Sequence, residues 1–172
     1  MILIADLLEK YLDRVSSLPK RMGAHDIGHT KRVLTLASMI SETEELSEIE
    51  QKNLFDAALY HDSGRTDDSA NENHGKASYF QYFLDNGADA TVEFLIIYHC
   101  IHDELAKIYW DAHDFSLPKE RIWLLYEILK DAGALDRVRF GKNGLNEKFL
   151  RRPQSHELIE AARLLFLSSK AN

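Results

Sequence analysis

Apolar residues recur along this chain at helical spacing, and polar clusters cut the pattern into segments. Ile4, Leu7, Leu8, Tyr11, Leu12 and Val15 share one face of a helix over 2–15, which stops before Ser16-Ser17-Leu18-Pro19. A second helix is predicted from about Asp26 to Glu42, capped by Asp26, with Ile27, Val33, Leu34, Leu36, Ala37 and Ile40 inward. Ser47 and Glu50 have the spacing of a capping box and open a third helix. Its apolar run, Leu54, Phe55, Ala57, Ala58 and Leu59, ends at Tyr60-His61-Asp62-Ser63-Gly64-Arg65. Thr66 to Asn73 reads as a loop, His74 opens a fourth helix, and Asn86-Gly87 closes it. The fifth, about Ala90 to His102, is nearly all apolar in its first half and is expected to be buried on most sides. A short helical segment follows from Glu104 to His113.

Pro118 begins the sixth main helix, whose stripe of Ile122, Leu124, Leu125, Ile128 and Leu129 ends at Lys130-Asp131-Ala132-Gly133. After a loop at Phe140-Gly141-Lys142-Asn143-Gly144, Ser155 to Ser168 is amphipathic and closes the chain. No segment alternates as a strand does, and no repeat is present, so the class is all-α. At 172 residues one domain is expected over 1–172, with the motif-bearing core at about 24–140 and the C-terminal helix at about 155–168.

Charge and composition narrow the functions. The net charge of −7 disfavours a long polyanion such as a nucleic-acid polymer, although a small anion at a bound metal remains compatible with it. Cys100 is the single cysteine, so no intrachain disulfide can form. Met1 to Ala5 is too short an apolar start for a signal peptide, and no stretch approaches the roughly 20 apolar residues of a membrane span. A cytoplasmic location is the expectation. The oligomeric state is left open, a homo-oligomer included.

The candidate chemistry lies where apolar helices end. His29 falls in the first turns of the second helix, His61 and Asp62 at the end of the third, and Asp131 at the end of the sixth. Taken singly, each has an ordinary reading: a hydrogen-bonded core histidine, a turn-capping aspartate. Together, two imidazoles and two carboxylates suit a divalent transition metal, Mn²⁺, Fe²⁺, Co²⁺, Ni²⁺ or Zn²⁺, with Mg²⁺ also compatible. Open coordination positions would let such an ion activate water toward phosphorus.

This order of residues resembles the HD-domain superfamily of metal-dependent phosphohydrolases over about Ala24 to Phe140. His29-Thr30-Lys31-Arg32-Val33 is similar to its "HxxRV" helix, and Ala57-Ala58-Leu59-Tyr60-His61-Asp62-Ser63-Gly64-Arg65 to its "AALLHDIGK/R" element. Leu129 to Asp136 is similar to its "DADxLD" element, with Gly133 where a second Asp is common. The resemblance implies an HD-type helical domain in which His29, His61, Asp62 and Asp131 are metal ligands and Asp62 can bridge two ions. His74 and His99 resemble the added histidines of binuclear members and would hold a second ion, or else meet substrate phosphate at a one-metal site. Arg65 and Lys76 are expected to neutralise phosphate at the metal rim, beside the catalytic Asp62. Arg32 is expected on the phosphate or on a carboxylate of the site, and Asp67 and Asp68 near the site from the loop. His102 and Asp103 are weaker candidates, and the second dipeptide, His25-Asp26, is set aside as a decoy. The implied function is hydrolysis of a small phosphomonoester or phosphodiester, of a nucleotide in particular. The alternatives are a di-iron oxygenase of the HD type and a nucleotide-binding regulatory module.

Overall fold

A computed structural model of the chain describes residues 4–16, 23, 25–68 and 72–170. Nine α-helices occupy them, with no strand among the described residues: α1 (Ile4–Ser16), α2 (Ile27–Ser41), α3 (Glu48–Tyr60), α4 (His74–Asn86), α5 (Ala90–Tyr98), α6 (Asp103–Ala112), α7 (Lys119–Leu135), α8 (Pro153–Glu157) and α9 (Ile159–Lys170). Short 3-10 turns follow α7 at Asp136–Phe140 and precede α8 at Glu147–Phe149. The class is all-α, a single helical bundle.

The helix starts follow local chemistry. Asp26 accepts the His29 N–H at 2.9 Å and caps α2, while Ser47 and Glu50 close the capping box of α3. Asp89 caps α5 by accepting the Thr91 and Val92 N–H groups. α2 packs against α1, α3 and α7, and α3 against α5 and α7, so the most apolar helices meet at the centre. Phe55 and Leu54 of α3, Leu34 and Leu36 of α2, and Leu95 and Ile96 of α5 are fully buried. Phe94, equally buried, lies among the rings of Tyr98, Tyr109, Phe115, Trp123 and Tyr126. Truncating such a side chain costs about 3–5 kcal/mol, because the lost transfer energy is joined by an unfilled cavity. α1 is tied down by a polar contact: the buried Asp56 accepts the Tyr11 hydroxyl at 2.6 Å and Arg14 at 3.3 Å.

Several boundaries differ from the pattern-based expectation, and α7 runs past Gly133 to Leu135. The fifth helix ends at Tyr98 rather than His102, because the chain turns at His99 and restarts at Asp103. The closing helix is split at Leu158 and begins two residues early, at Pro153. Part of the expected 66–73 loop, residues 69–71, lies outside the described residues, as do residues 2–3, where the first helix is expected to begin, and 17–19 of its expected stop.

Two glycines fix how α4 sits. A β-carbon on Gly64 would stand 2.3 Å from the Ser78 nitrogen, and one on Gly75 would stand 2.7 Å from the Ile97 carbonyl oxygen. Any larger residue at either position would push α4 away from the turn after α3 and from the end of α5. Those are the two places that carry His61-Asp62 and His99.

Candidate metal centre

α3 and α5 end in the same way. His61 follows the last residue of α3, and its Nδ1 donates to the Ala58 carbonyl, three residues back, at 2.8 Å. His99 follows α5, and its Nδ1 donates to the Ile96 carbonyl at 2.6 Å. A carbonyl can only accept, so each imidazole carries its proton on Nδ1 and turns an Nε2 lone pair inward. His29 is oriented likewise, by Asp136: Nδ1 to Oδ2 is 2.7 Å.

These lone pairs meet around Asp62, which is 2% exposed. Its Oδ2 lies 3.3 Å from His29 Nε2 and 3.5 Å from His61 Nε2, and those two nitrogens are 3.0 Å apart. Its Oδ1 lies 3.2 Å from His74 Nε2 and 3.6 Å from His99 Nε2, which are 3.1 Å apart. Each carboxylate oxygen therefore faces its own pair of imidazoles. Nitrogens this close must share a proton or a cation between them. Donors at about 2.1 Å from one ion and near a right angle are about 3 Å apart, which is the spacing found. Among the described residues, two groups have ligand atoms within 4.8 Å of one another: His29, His61 and Asp62, and His74, His99 and Cys100.

Electrostatics agree with the geometry. Burial pushes the His61 imidazole well below its ordinary range, with His99 and His29 adding to the effect against Asp62. Burial likewise lowers His99. For Asp62 burial works upward, but the imidazoles of His61, His29, His74 and His99 overcome it and hold the carboxylate well below its usual range.

Asp131 is the correction. The sequence pattern sets it in the cluster; the structure turns it to the other side of α7. Its fully buried carboxylate accepts the backbone N–H groups of Arg151 and Arg152, at 2.8 Å each, and the Ser155 hydroxyl at 2.8 Å. It anchors the start of α8. The carboxylate at the end of α7 that does reach the cluster is Asp136, and it holds the far nitrogen of His29 rather than facing the centre. Gly133 lines the cavity beside the cluster, and a β-carbon built there would meet no neighbouring atom within 4 Å.

That cavity, of about 770 Å³, is walled on one side by His25, His29, His61, Asp62, Arg65 and His99. Arg65 Nε donates to Asp62 Oδ1 at 2.8 Å, so it already neutralises a carboxylate. Lys76 is exposed on α4 and does not line the cavity. Arg32 pairs with Asp136 through Nε at 2.5 Å and Nη2 at 3.2 Å. His25, set aside in the sequence, comes within 4.0 Å of Asp62 Oδ2 and bonds Asp68 at 2.8 Å, while Asp26 remains a helix cap. His102 precedes α6 without a side-chain cap, and Asp103 is held by Lys130, Arg151 and Tyr126. Asp136 and Arg139 were missed by sequence reading. Asp136 at least stood in the recognised element; nothing local marks Arg139.

The fold and the site define an all-helical protein in which buried histidines and one central aspartate form candidate metal-binding sites. No helix of the described residues is long and apolar enough to cross a membrane. Comparison with protein-family models, with curated proteins and with solved structures finds no match.

Proposed function

We propose that the chain is a metal-dependent phosphohydrolase of HD type that cleaves a small phosphomonoester or phosphodiester, of a nucleotide in particular. The observation that carries the reading is the pair of inward Nε2 atoms of His29 and His61, 3.0 Å apart beside one oxygen of Asp62. The second pair, His74 and His99 at the other oxygen, supports a second ion, with Cys100 in reach of it. The resemblance of the His29, His61-Asp62 and Leu129–Asp136 elements to HD phosphohydrolases supplies the reaction class.

In this reading His29, His61 and Asp62 would hold one divalent ion, and His74, His99 and the other oxygen of Asp62 a second. When bound, such ions supply a water of lowered pKa and polarise the phosphoryl oxygens. The chain's own part is orientation and charge. Asp136 and the Ala58 and Ile96 carbonyls fix the imidazole tautomers. With Asp131 elsewhere and Gly133 bare, three protein ligands per ion leave room for water and substrate. A cavity of about 770 Å³ accommodates a nucleotide-sized ligand.

The test is a screen of the metal-stripped protein, reconstituted with Mn²⁺, Co²⁺, Ni²⁺ or Mg²⁺, against nucleotides, cyclic nucleotides and generic phosphoesters. Metal-dependent phosphate release that disappears in Asp62→Ala is the expected result. A protein that binds Fe²⁺, consumes oxygen and hydrolyses no phosphoester would replace this reading with the oxygenase one.

A further inference from the structure

The cavity wall differs in charge from the chain around it. The protein carries −7 overall, yet five cationic side chains, Arg65, Lys130, Arg137, Arg139 and Arg151, line the cavity against three carboxylates, Asp62, Asp103 and Glu104. A wall that opposes the sign of its own protein favours anions. Most of these cations are already engaged. Arg65 is bonded to Asp62. Lys130 spends its donors on Asp103, Tyr126 and the Ile101 carbonyl. Arg151 forks onto Asp103 and reaches Asp131. Arg137 is tied to the Gly144 carbonyl.

Arg139 differs. Its side chain is 7% exposed and its guanidinium stacks over the Phe140 ring at 4.2 Å. Among the described residues only Nη1 is bonded, to Asp136 Oδ2 and to the Asp136 carbonyl, each at 3.0 Å. Among them too, Nε is buried without a partner, and no bond is made by Nη2. A guanidinium held by one corner, with the opposite edge unused, is arranged for a second acceptor, and two of its donors in a plane match two oxygens of one tetrahedral anion.

We propose that Arg139 is the anion-binding residue of this cavity, taking oxygens of the phosphate group that reacts at the metal centre. The assignment rests on the phosphohydrolase reading and replaces the expected roles of Arg65 and Lys76. It also joins two functions in one chain of bonds: the anion on one edge of Arg139, Asp136 on its Nη1 corner, and His29 beyond Asp136.

The experiment titrates inorganic phosphate into Mn²⁺-saturated protein by calorimetry, with bound Mn²⁺ counted in parallel. Wild type is expected to bind phosphate. Arg139→Gln, which removes the charge, and Arg139→Lys, which keeps it but loses the fork, are expected to bind about tenfold more weakly or worse at unchanged Mn²⁺ content. Arg139→Lys carries the test if Arg139→Gln does not fold. Wild-type phosphate affinity in both variants overturns the assignment and leaves the phosphohydrolase reading standing. So does a loss of Mn²⁺ in both whose refilling restores phosphate affinity, since Arg139 would then serve only the metal ligands. Wild-type protein that takes up Mn²⁺ but no phosphate overturns the phosphohydrolase reading, and the Arg139 assignment with it.

Discussion

His29 Nδ1 lies 2.7 Å from Asp136 Oδ2, across 107 residues of chain. The contact links the first turn of α2 to the end of α7 and sets which His29 nitrogen looks at the centre. Asp136 is fully buried; burial works to raise its carboxyl, and His29 and Arg32 overcome that and hold it below the usual range. Asp136→Asn is expected to weaken binding of the first ion about ten- to a hundredfold, since the imidazole loses its charged orienting partner. Isothermal titration of Mn²⁺ into stripped protein measures this. An unchanged affinity would show that the backbone alone orients His29.

Asp62 divides the centre, so its variants should divide the metal content. Saturated with Mn²⁺, the protein is expected to hold two ions per chain, and the His74→Ala, His99→Ala double variant one, because the His29–His61 pair keeps its own carboxylate oxygen. Asp62→Ala is expected to fold and to lose phosphoesterase turnover. In EDTA its melting temperature should fall below that of wild type, since the carboxylate is held below its usual range in the fold and Arg65 loses its partner. Full turnover in Asp62→Ala would remove Asp62 from the mechanism.

Asp131 should behave oppositely. Asp131→Asn replaces an acceptor oxygen with an NH₂ group facing the Arg151 and Arg152 N–H donors. A loss of roughly 2–4 kcal/mol in unfolding free energy is expected, with metal content intact. Urea denaturation beside metal analysis separates the two outcomes. Depleted metal in a stably folded variant would return Asp131 to the ligand set.

The pattern along the chain was enough for caps and helices and not for this aspartate, and the reason is range. The Ser47–Glu50 box, the Asp26 cap and the stop at Asn86 depend on neighbours within a few residues. His29, His61, Asp62, His74 and His99 could be picked out because each ends or begins an apolar helix. Which carboxylate near the end of α7 turns inward depends instead on the 3-10 turn at Asp136–Phe140 and on where residues 151–155 return. Arg139 and His25 needed tertiary placement for the same reason. The overlong fifth helix came from counting apolar residues, when the His99 side chain takes the Ile96 carbonyl at the helix end.

Glu50 supplies a pH dependence remote from the centre. Arg121 bonds its carboxylate through Nη2 at 3.0 Å and through Nε, and chiefly this pairing, aided by Ser47 and opposed by burial, lowers its pKa from 4.5 to about 2. A depressed carboxylate stabilises the fold fully above its unfolded value and loses that contribution as pH falls toward its folded one. Glu50→Gln is therefore expected to be less stable than wild type by about 3 kcal/mol at neutral pH, with the gap closing between pH 4.5 and about 2. Urea midpoints measured across that interval check it. A gap that stays constant with pH would assign the loss to the capping box alone.

The bare stretch of α7 at Gly133 has a consequence for selectivity. Every β-carbon added to a packed wall must displace something, but one added here would enter only space that a ligand would use. Position 133 is therefore a size gauge: the methyl of Gly133→Ala would take space from the ligand and from no neighbouring side chain. That substitution is expected to narrow the accepted ligands from the bulky end while the fold beneath stays as it is.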